Sequence, residues 1–323
     1  MHQKTIKWGI IGLGKIAVKF ATDLAKVENA ILYAVASRNK EKAVQFSDKF
    51  DSKKAFDSYE DLAKDPDVDA VYIATPHSFH AVHAILCMQH KKAVLCEKPF
   101  AMNLQEVTQM IAVAKAQNVL LMEALWTYFL PHYNYVLEIV KQEKFGKLKY
   151  LEADFGFYTP YDTSSRVFKK EVGGGSLLDI GIYPIFAALS TLGMPNAVEA
   201  NATFFENRAD SSCSIIFKYD DAKATLKSSL LEKLPSEAVF TFDNAVVTIN
   251  EMFHQPSTVT IHQNGHEETI DFGYNTIGYN FEIEHFNQML RANKTESSIM
   301  TFNFSKNLMQ LLDNVRHKVG LTY

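Results

Sequence analysis

The sequence predicts an α/β protein with two domains, and three observations support this. Over the first ~125 residues, strand-like apolar runs alternate with segments of helical period. A glycine-rich turn joins the first predicted strand to the first predicted helix. Between residues 197 and 272, short alternating segments follow one another across tight turns. These features predict an N-terminal doubly wound parallel sheet of the Rossmann type. They also predict a C-terminal α+β domain with a large, mostly antiparallel open sheet.

The N-terminal domain, residues 1–125, is predicted from this alternation. Predicted strands cover 6–11, 31–36, 70–74, 93–96 and 119–122. Predicted helices cover 17–27, 40–50, 79–89 and 103–117. Ser58 begins a further short helix with a capping-box pattern, and Asn103 caps the last one. Because strands alternate with helices of this length, we expect the strands to be parallel and the helices to cover both faces.

The C-terminal domain, residues 126–323, has a different pattern. A helix near 133–142 and a glycine triplet at 173–175 precede an apolar stretch that ends at Gly193. Strands are predicted at 201–205, 214–219, 224–230, 239–242, 245–249 and 258–262. Turns such as that at Asn264 separate them, which favours antiparallel pairing. Two helices, near 280–291 and 304–318, follow.

Composition argues against several classes of function. The chain has 323 residues, 47% hydrophobic and 22% charged, with a net charge of −4 and a pI of about 6.3. We expect no nucleic-acid partner, because a basic face is missing. The apolar runs look strand-sized, shorter than the ~20 residues of a membrane helix, and a signal peptide is not recognised. We therefore expect a cytoplasmic protein without a membrane partner. Three unpaired cysteines, Cys87, Cys96 and Cys213, indicate neither disulfides nor a metal site.

The turn after the first strand has the spacing of a phosphate cradle. Gly12 permits a tight turn, Gly14 allows the backbone to approach a pyrophosphate, and Ala17 allows close helix–strand packing. The helix that begins here, at Lys15 and Ile16, would present unpaired N–H groups to the anion. Because the motif lies between a first strand and a first helix, it predicts a dinucleotide cofactor.

The end of the second strand bears on which dinucleotide is bound. Ser37 lies 20 residues after Ala17, where an acidic residue would hold the ribose hydroxyls of NAD. Ser37 and Arg38 stand there instead, and an arginine is suited to a 2′-phosphate. The sequence therefore favours NADP, with NAD as the alternative.

Chemically active side chains follow several predicted strands. Ligands in doubly wound sheets bind beyond the carboxyl ends of the strands. Thr75 and Pro76 lie at one such end, Glu97 and Lys98 at another, and Glu123 at a third. Hydride transfer from an alcohol needs a group that removes the hydroxyl proton, and a lysine in a desolvated pocket is suited to that task.

Four motifs together resemble the Gfo/Idh/MocA oxidoreductases, and the resemblance covers most of the chain. They are GLGKIA at 12–17, EKP at 97–99, MEA at 122–124 and GGGSLLDIG at 173–181. The segments AVLCEKP at 93–99, LMEALWT at 121–127 and LDIGIY at 178–183 are similar to one branch in particular. That branch contains the dimeric dihydrodiol dehydrogenases, also known as NADP-dependent D-xylose dehydrogenases.

The resemblance implies a site and a reaction. It implies that Lys98 lies in the active site, before a bond to Pro99 that is often cis, and that Tyr183 donates or accepts the proton. Asp179, four residues earlier, shares a face with Tyr183 if one helix is continuous through Gly181. One departure is Tyr128, where the branch usually has arginine. This difference bears on the cofactor preference and on the substrate.

Several further side chains are candidates for contact with ligands. His80 is expected beside the cofactor or substrate, and Glu97 is expected to reach a ribose or to orient Lys98. Trp126 is assigned to both the cofactor and the substrate, and Phe157 to the substrate, although packing is an equal explanation for such aromatics. The basic run from Arg166 is interpreted as a solvated loop that could close over the site. His254, His262 and His266 are interpreted as surface residues without a function.

The sequence therefore predicts an NAD(P)-dependent dehydrogenase that acts on a CH–OH group of a sugar or cyclic trans-diol. The first alternative is a glycoside hydrolase of the same family that retains its nicotinamide and cleaves by transient oxidation. The second is a non-catalytic NADP-sensing protein, which would need the cradle but neither Lys98 nor Tyr183. The resemblance also implies a homodimer or higher oligomer formed through the C-terminal sheet.

Overall fold

The structure, a computed structural model, describes residues 4–323. The chain forms two compact units. The first contains the chain through Trp126 together with Asn275–Lys306, and the second contains Thr127–Tyr274 and Asn307–Tyr323. The sequence-based division into 1–125 and 126–323 places the first change within one residue of Trp126. It does not anticipate that the segment 275–306 belongs with the first unit.

A six-stranded parallel sheet forms the centre of the first unit, in the order β3-β2-β1-β4-β5-β6. Its strands are β1 (Ile6–Ile11), β2 (Ala30–Ala36), β3 (Lys54–Phe56), β4 (Ala70–Ile73), β5 (Ala93–Glu97) and β6 (Leu121–Ala124). The helices between them are α1 (Lys15–Leu24), α2 (Lys40–Phe50), α3 (Tyr59–Lys64), α4 (His80–Gln89) and α5 (Leu104–Gln117). This strand order is that of dinucleotide-binding sheets, which confirms the predicted fold class.

Local sequence signals account for most of these boundaries. Asn39, Ser58 and Asn103 each accept a hydrogen bond from a backbone N–H in the first turn of α2, α3 and α5 respectively. The prediction missed β3, because three half-buried residues carry too little pattern. It also placed β6 two residues early, since the apolar run begins at Val119 before the strand does.

The helix α8 (Tyr279–Arg291) is held to the first unit by both polar and apolar contacts. The buried carboxylate of Asp23 accepts hydrogen bonds from the N–H groups of Ile277, Gly278 and Tyr279 at 2.8–3.1 Å. The Trp8 ring packs against Phe286 at 5.0 Å, and its Nε1 donates to Asn287 at 3.2 Å. The segment therefore completes the core on which β1 rests.

An eight-stranded sheet forms the second unit, in the order β14-β13-β12-β11-β7-β10-β9-β8. The strands are β7 (Leu148–Gly156), β8 (Ala197–Phe204), β9 (Asp210–Lys218), β10 (Lys223–Ser229), β11 (Ala238–Phe242), β12 (Val246–Ile249), β13 (Val259–Gln263) and β14 (His266–Ile270). All neighbouring strands are antiparallel except β7 and β10, which confirms a mostly antiparallel sheet. The prediction missed β7 and β14.

Three longer helices accompany this sheet in the chain: α6 (Pro131–Lys141), α7 (Ile182–Leu192) and α9 (Phe302–Val319). One face of the central strands is buried, as shown by Leu151, Ala153, Leu226 and Phe240. The opposite face, with residues such as Tyr150, Thr225 and Thr241, is partly exposed.

The stretch Lys170–Leu192 is long and apolar enough to cross a membrane, with a mean hydropathy of 1.5, but 89% of its apolar window is buried. The expectation that every apolar run is strand-sized is therefore wrong for this stretch. The apolar residues serve packing instead: Leu177, Leu178, Ile185 and Phe186 are completely buried within the protein. A core helix of this kind passes the same length and composition test.

Candidate active site

The cradle after β1 has the geometry that a pyrophosphate requires. Gly12 has φ +89°, and a Cβ there would lie 2.7 Å from backbone atoms of Ala74 and Thr75. At Gly14, by contrast, a Cβ would meet nothing within 4 Å. Ala17 is completely buried against the sheet. Gly12 is thus fixed by packing, whereas the backbone at Gly14 borders open space.

The first turn of α1 is suited to an anion. Gly14 is its N-cap and provides no capping side chain, and no acidic residue lies in the first turn. The N–H groups near Lys15 and Ile16 therefore have no side-chain acceptor from the cap. Together with the open space at Gly14, this arrangement fits the pyrophosphate of a dinucleotide.

The carboxyl ends of β2 and β4 carry the side chains predicted to select the cofactor. Ser37 is buried, and its hydroxyl accepts the N–H of Asn39 at 3.2 Å. Arg38 is exposed, and its charge acts on His83. Burial, followed by that charge, lowers the pKa of His83 to about 4. The His83 Nδ1 lies 3.1 Å from the Thr75 hydroxyl. His83, which the sequence analysis did not assign to the cofactor, is thus a neutral neighbour of Arg38 and Thr75.

His80, which is expected beside the cofactor or substrate, makes two contacts with the backbone. Its ring is completely buried, and its two nitrogens lie 2.8 Å from the backbone carbonyl oxygens of Pro99 and Thr75. It therefore joins the turn after β5 to the end of β4. Its contact with a ligand remains a prediction.

The turn after β5 presents Lys98. The Lys98–Pro99 peptide bond is cis, as the resemblance implied. The Lys98 backbone N–H donates to the Glu97 carboxylate at 3.2 Å, and the Tyr72 hydroxyl donates to the other Glu97 oxygen. Glu97 is only 8% exposed, while Lys98 is partly exposed. Glu97 is therefore bound by its own neighbours and orients the backbone from which Lys98 projects.

Glu123, at the end of β6, adds a second buried carboxyl to this region. Its Oε1 accepts the Phe100 N–H at 3.0 Å, and the residue is 2% exposed. Burial raises its pKa to about 7; the Ser305 hydroxyl, the Phe100 N–H and the Lys98 charge oppose this rise, and the Glu97 charge adds to it. Near neutral pH, Glu123 is consequently close to its point of half-protonation.

Asp179 and Tyr183 lie on one helical segment of the second unit. A π-helical turn, Leu177–Gly181, runs directly into α7, so the helix is continuous through Gly181. A Cβ at Gly181 would lie 2.9 Å from the Ser228 hydroxyl, so glycine lets this turn approach β10. Because they are four positions apart, Asp179 and Tyr183 start from the same side of the helix.

Each of these two side chains has a neighbour that the sequence did not assign to the site. The Arg166 guanidinium contacts both Asp179 oxygens at 3.2 and 3.3 Å, so part of the basic run is an ion pair and not a free loop. His254 is 6% exposed and lies 4.7 Å from the Tyr183 ring and 4.0 Å from the Phe155 ring. The expectation that His254 is a surface residue is therefore wrong.

The remaining aromatic candidates lie in separate units. Phe157, partly exposed, contacts Phe155 with a ring separation of 6.0 Å in the second unit. Trp126 is 5% exposed and stacks on Tyr279 at 4.4 Å in the first unit. Their roles as ligand contacts remain predictions. Within residues 4–323, no group of three or more His, Cys, Asp or Glu residues is arranged to hold a metal ion.

Comparisons with known proteins agree with this geometry. Residues 6–125 match the oxidoreductase family with an NAD-binding Rossmann fold, and residues 133–248 match the GFO/IDH/MocA C-terminal domain. The chain is 35% identical to a trans-1,2-dihydrobenzene-1,2-diol dehydrogenase of Xenopus laevis, over 98% of this chain and 99% of that protein. The chain belongs to the Gfo/Idh/MocA oxidoreductase family.

Other members of the Gfo/Idh/MocA family resemble the chain over almost its whole length. A scyllo-inositol 2-dehydrogenase (NADP(+)) of Bacillus subtilis is 34% identical, over 98% of both chains. A 3-ketoreductase of Actinomadura kijaniata, solved with NADP and TDP-benzene, has a TM-score of 0.88 at 25% identity, again over 98% of both chains. An aldose–aldose oxidoreductase of Caulobacter crescentus shares the fold, with a TM-score of 0.90 at 20% identity over 98% of both chains.

Proposed function

We propose that the protein is an NADP-dependent oxidoreductase that transfers a hydride between the nicotinamide and a CH–OH group of a sugar or cyclic trans-diol. The observation that carries this proposal is the cradle at Gly12 and Gly14, which borders an uncapped helix end in a Gfo/Idh/MocA chain. The relatives named as dehydrogenases of diols and inositols support the substrate class.

The chain's own residues would hold the cofactor as follows. Gly12, Gly14 and Ala17 leave room for the pyrophosphate, and the N–H groups at Lys15 and Ile16 bind it. Ser37 and Arg38 bind the 2′-phosphate, since no acid stands where NAD requires one. Residues at the ends of β4, β5 and β6 contact the rest of it, namely Thr75, Pro76, Glu97, Lys98 and Trp126.

Bound NADP would supply a hydride acceptor for the carbon that bears the hydroxyl. The proton of that hydroxyl is taken by this chain, and we assign this step to Lys98 and Tyr183. Asp179, Trp126 and Phe157 contact the substrate. The Asp179 carboxylate, which pairs with the Arg166 guanidinium at 3.2 Å, can accept hydrogen bonds from substrate hydroxyls.

The first experiment is a titration of the purified protein with NADPH and NADH, followed by NADP reduction against a panel of aldoses and cyclic diols. Lys98→Ala and Tyr183→Phe are compared with wild type, and Tyr158→Phe, at a 67% exposed tyrosine, is the matched control. We expect both site variants to bind NADPH and to lose at least about 100-fold in kcat. The control should retain wild-type turnover.

Three outcomes contradict parts of the proposal. If neither cofactor binds, the assignment of the cradle is wrong. If cofactor binds but no substrate changes the nicotinamide absorbance, the retaining hydrolase and the sensor become the better candidates. If Lys98→Ala and Tyr183→Phe turn over as the control does, the proton is handled by other groups.

We also propose that the protein acts in the cytoplasm as a homodimer built on the open face of the eight-stranded sheet. Supporting observations are three buried, unbridged cysteines and a face on which Ile216 and Val239 are partly exposed among hydroxyl side chains. Light scattering after size exclusion would give twice the chain mass. Ile216→Arg with Val239→Arg should yield monomers, and a monomeric wild type would contradict the dimer.

A further inference from the structure

A group of buried titratable side chains lies behind Lys98 in the first unit. Tyr72 is on β4, Glu97 on β5, and Tyr279 and Glu282 are on α8. Tyr72 and Glu282 are completely buried, and Tyr279 and Glu97 are 3% and 8% exposed. Tyr72 stacks on Phe20 at 3.7 Å. The proton steps assigned above do not involve Tyr72, Tyr279 or Glu282.

The two carboxyls of this group have opposite surroundings. Glu97 accepts hydrogen bonds from the Tyr72 hydroxyl and from the Lys98 N–H, and such bonds favour a carboxylate. Neither oxygen of Glu282 has a hydrogen-bond partner within the described chain. An ionised carboxylate without water or a donor is strongly unfavourable, so Glu282 is the acid that keeps its proton.

The groups known to act on Glu282 and Tyr72 agree with this assignment. Burial and then the Glu97 charge raise the pKa of Glu282 well above its usual value. Burial and the Glu97 charge, followed by Tyr279 and Glu282, raise the pKa of Tyr72 well above its usual range, so its hydroxyl stays a donor. Neither burial nor the Glu97 charge stabilises a carboxylate at Glu282.

We propose that Glu282 holds a proton at neutral pH and acts as a positioning residue for Lys98 through Glu97. This inference rests on the proposed function, because it takes Lys98 as a group that handles the substrate proton. With Glu282 neutral, Glu97 remains the carboxylate that accepts the Lys98 backbone N–H. A second carboxylate there would favour the ammonium form of Lys98 and would remove its capacity to accept a proton. It would also repel Glu97 from the position in which it holds the turn.

The proposal predicts which substitutions the site tolerates. Glutamine keeps the shape and the donor of a protonated glutamic acid, so Glu282→Gln should keep kcat within about threefold of wild type at pH 7. Wild type should lose activity reversibly at alkaline pH, as Glu282 ionises, and Glu282→Gln should lose this alkaline decline. Glu282→Leu, which has no donor, should lower kcat more than glutamine does. Glu284→Gln, on the exposed side of α8, is the control and should behave as wild type.

The proton itself is observed in the cofactor-free full-length chain by infrared difference spectroscopy. We expect a carboxylic-acid carbonyl band at pH 7 that is absent from Glu282→Gln and present in Glu284→Gln. Glu123 contributes a band of its own below about pH 7, so the assignment uses only the band that Glu282→Gln removes.

Two results would overturn the inference. One is the absence of any band that Glu282→Gln removes. The other is an alkaline decline that is unchanged in Glu282→Gln. A failure of the proposed function is distinguishable, because the band is measured without turnover. If the band is present and no substrate reacts, Glu282 still holds its proton, and only the link to Lys98 chemistry is lost.

Discussion

Gly12 and Gly14 are two positions apart, but the structure itself requires glycine only at Gly12. Gly12 has positive φ, and any side chain would collide with the backbone that follows β4. Gly14 has φ −90°, which other residues adopt, and it faces open space. Both glycines belong to one sequence motif, but the geometry shows a folding constraint at Gly12 only, and the proposed cofactor would supply the constraint at Gly14.

Alanine at these two positions should therefore give opposite results. Gly12→Ala should destabilise the fold by about 1–3 kcal/mol from backbone strain, with more from the overlap at Ala74. Gly14→Ala should change stability by less than about 1 kcal/mol and should weaken NADPH binding at least about tenfold. Urea denaturation and fluorescence titration measure the two effects. Unimpaired NADPH binding by Gly14→Ala would show that the backbone there does not approach the cofactor.

Glu123 links stability to pH. Its folded-state pKa, about 7, is above that of an unfolded glutamate, so the folded state binds the proton more tightly. The stabilisation of the folded state by protonated Glu123 is fully present below about pH 4.5 and is lost as the pH rises through about 7. A shift of this size corresponds to about 3 kcal/mol.

Glu123→Gln should remove this loss of folding stability with rising pH. The free energy of unfolding, measured by urea denaturation from pH 4.5 to 8, should fall less steeply in the variant than in wild type. Glu28→Gln, at an exposed glutamate, is the control and should follow the wild-type curve. Parallel curves for wild type and Glu123→Gln would mean that Glu123 titrates normally in the folded protein.

At the scale of single elements, the caps of α3 and α5 are neighbouring residues that the sequence predicts, but the cap of α8 comes from a distant part of the chain. Ser58 and Asn103 lie immediately before the helices that they cap, so the sequence predicts them. The start of α8 is capped by Asp23, which lies more than 250 residues earlier in the chain. Gly278, the local N-cap, offers no side chain. Only tertiary structure brings the carboxylate to these three amides.

Loss of this cap should be costly because the amides are buried. Asp23→Ala should lower the free energy of unfolding by about 2–4 kcal/mol, since three N–H groups lose a charged acceptor. Ser58→Ala, at a local cap of a short helix, should cost about 1 kcal/mol. Hydrogen exchange should show faster exchange at the start of α8 in Asp23→Ala only. Equal costs for the two variants would contradict the structural role of Asp23.

At the scale of the whole molecule, the compact units do not follow the order of the chain, because the first unit includes a segment from late in the sequence. The segment Asn275–Lys306 supplies Phe286 and Asn287 to Trp8, and its Tyr279 stacks on Trp126 at 4.4 Å. The sequence suggested a single change near residue 125 because the strand–helix alternation stops there. No local sequence pattern indicates that the segment 275–306 packs in the first unit, since α8 has the pattern of an ordinary amphipathic helix.

This organisation makes a prediction about isolated pieces. Residues 1–126 alone should not fold cooperatively, because Trp8 and Asp23 lose their partners. Residues 1–126 joined to 275–306 by a flexible linker of about ten residues should fold and bind NADPH. Circular dichroism, thermal unfolding and NADPH fluorescence test both chains. Cooperative folding of residues 1–126 by itself would show that the segment 275–306 is dispensable for the first unit.

The sequence by itself determined the fold class, the glycine-rich turn between β1 and α1 and the family, because these depend on period, on short spacings and on motifs such as EKP. It also identified the segment from Asp179 to Tyr183, although not the π-helical turn that begins it. Tertiary structure alone decided which side chains surround the candidate groups. His254 against Tyr183, Arg166 on Asp179, and Glu282 beside Glu97 join residues distant in the chain. Such contacts depend on packing between elements, which local pattern does not encode.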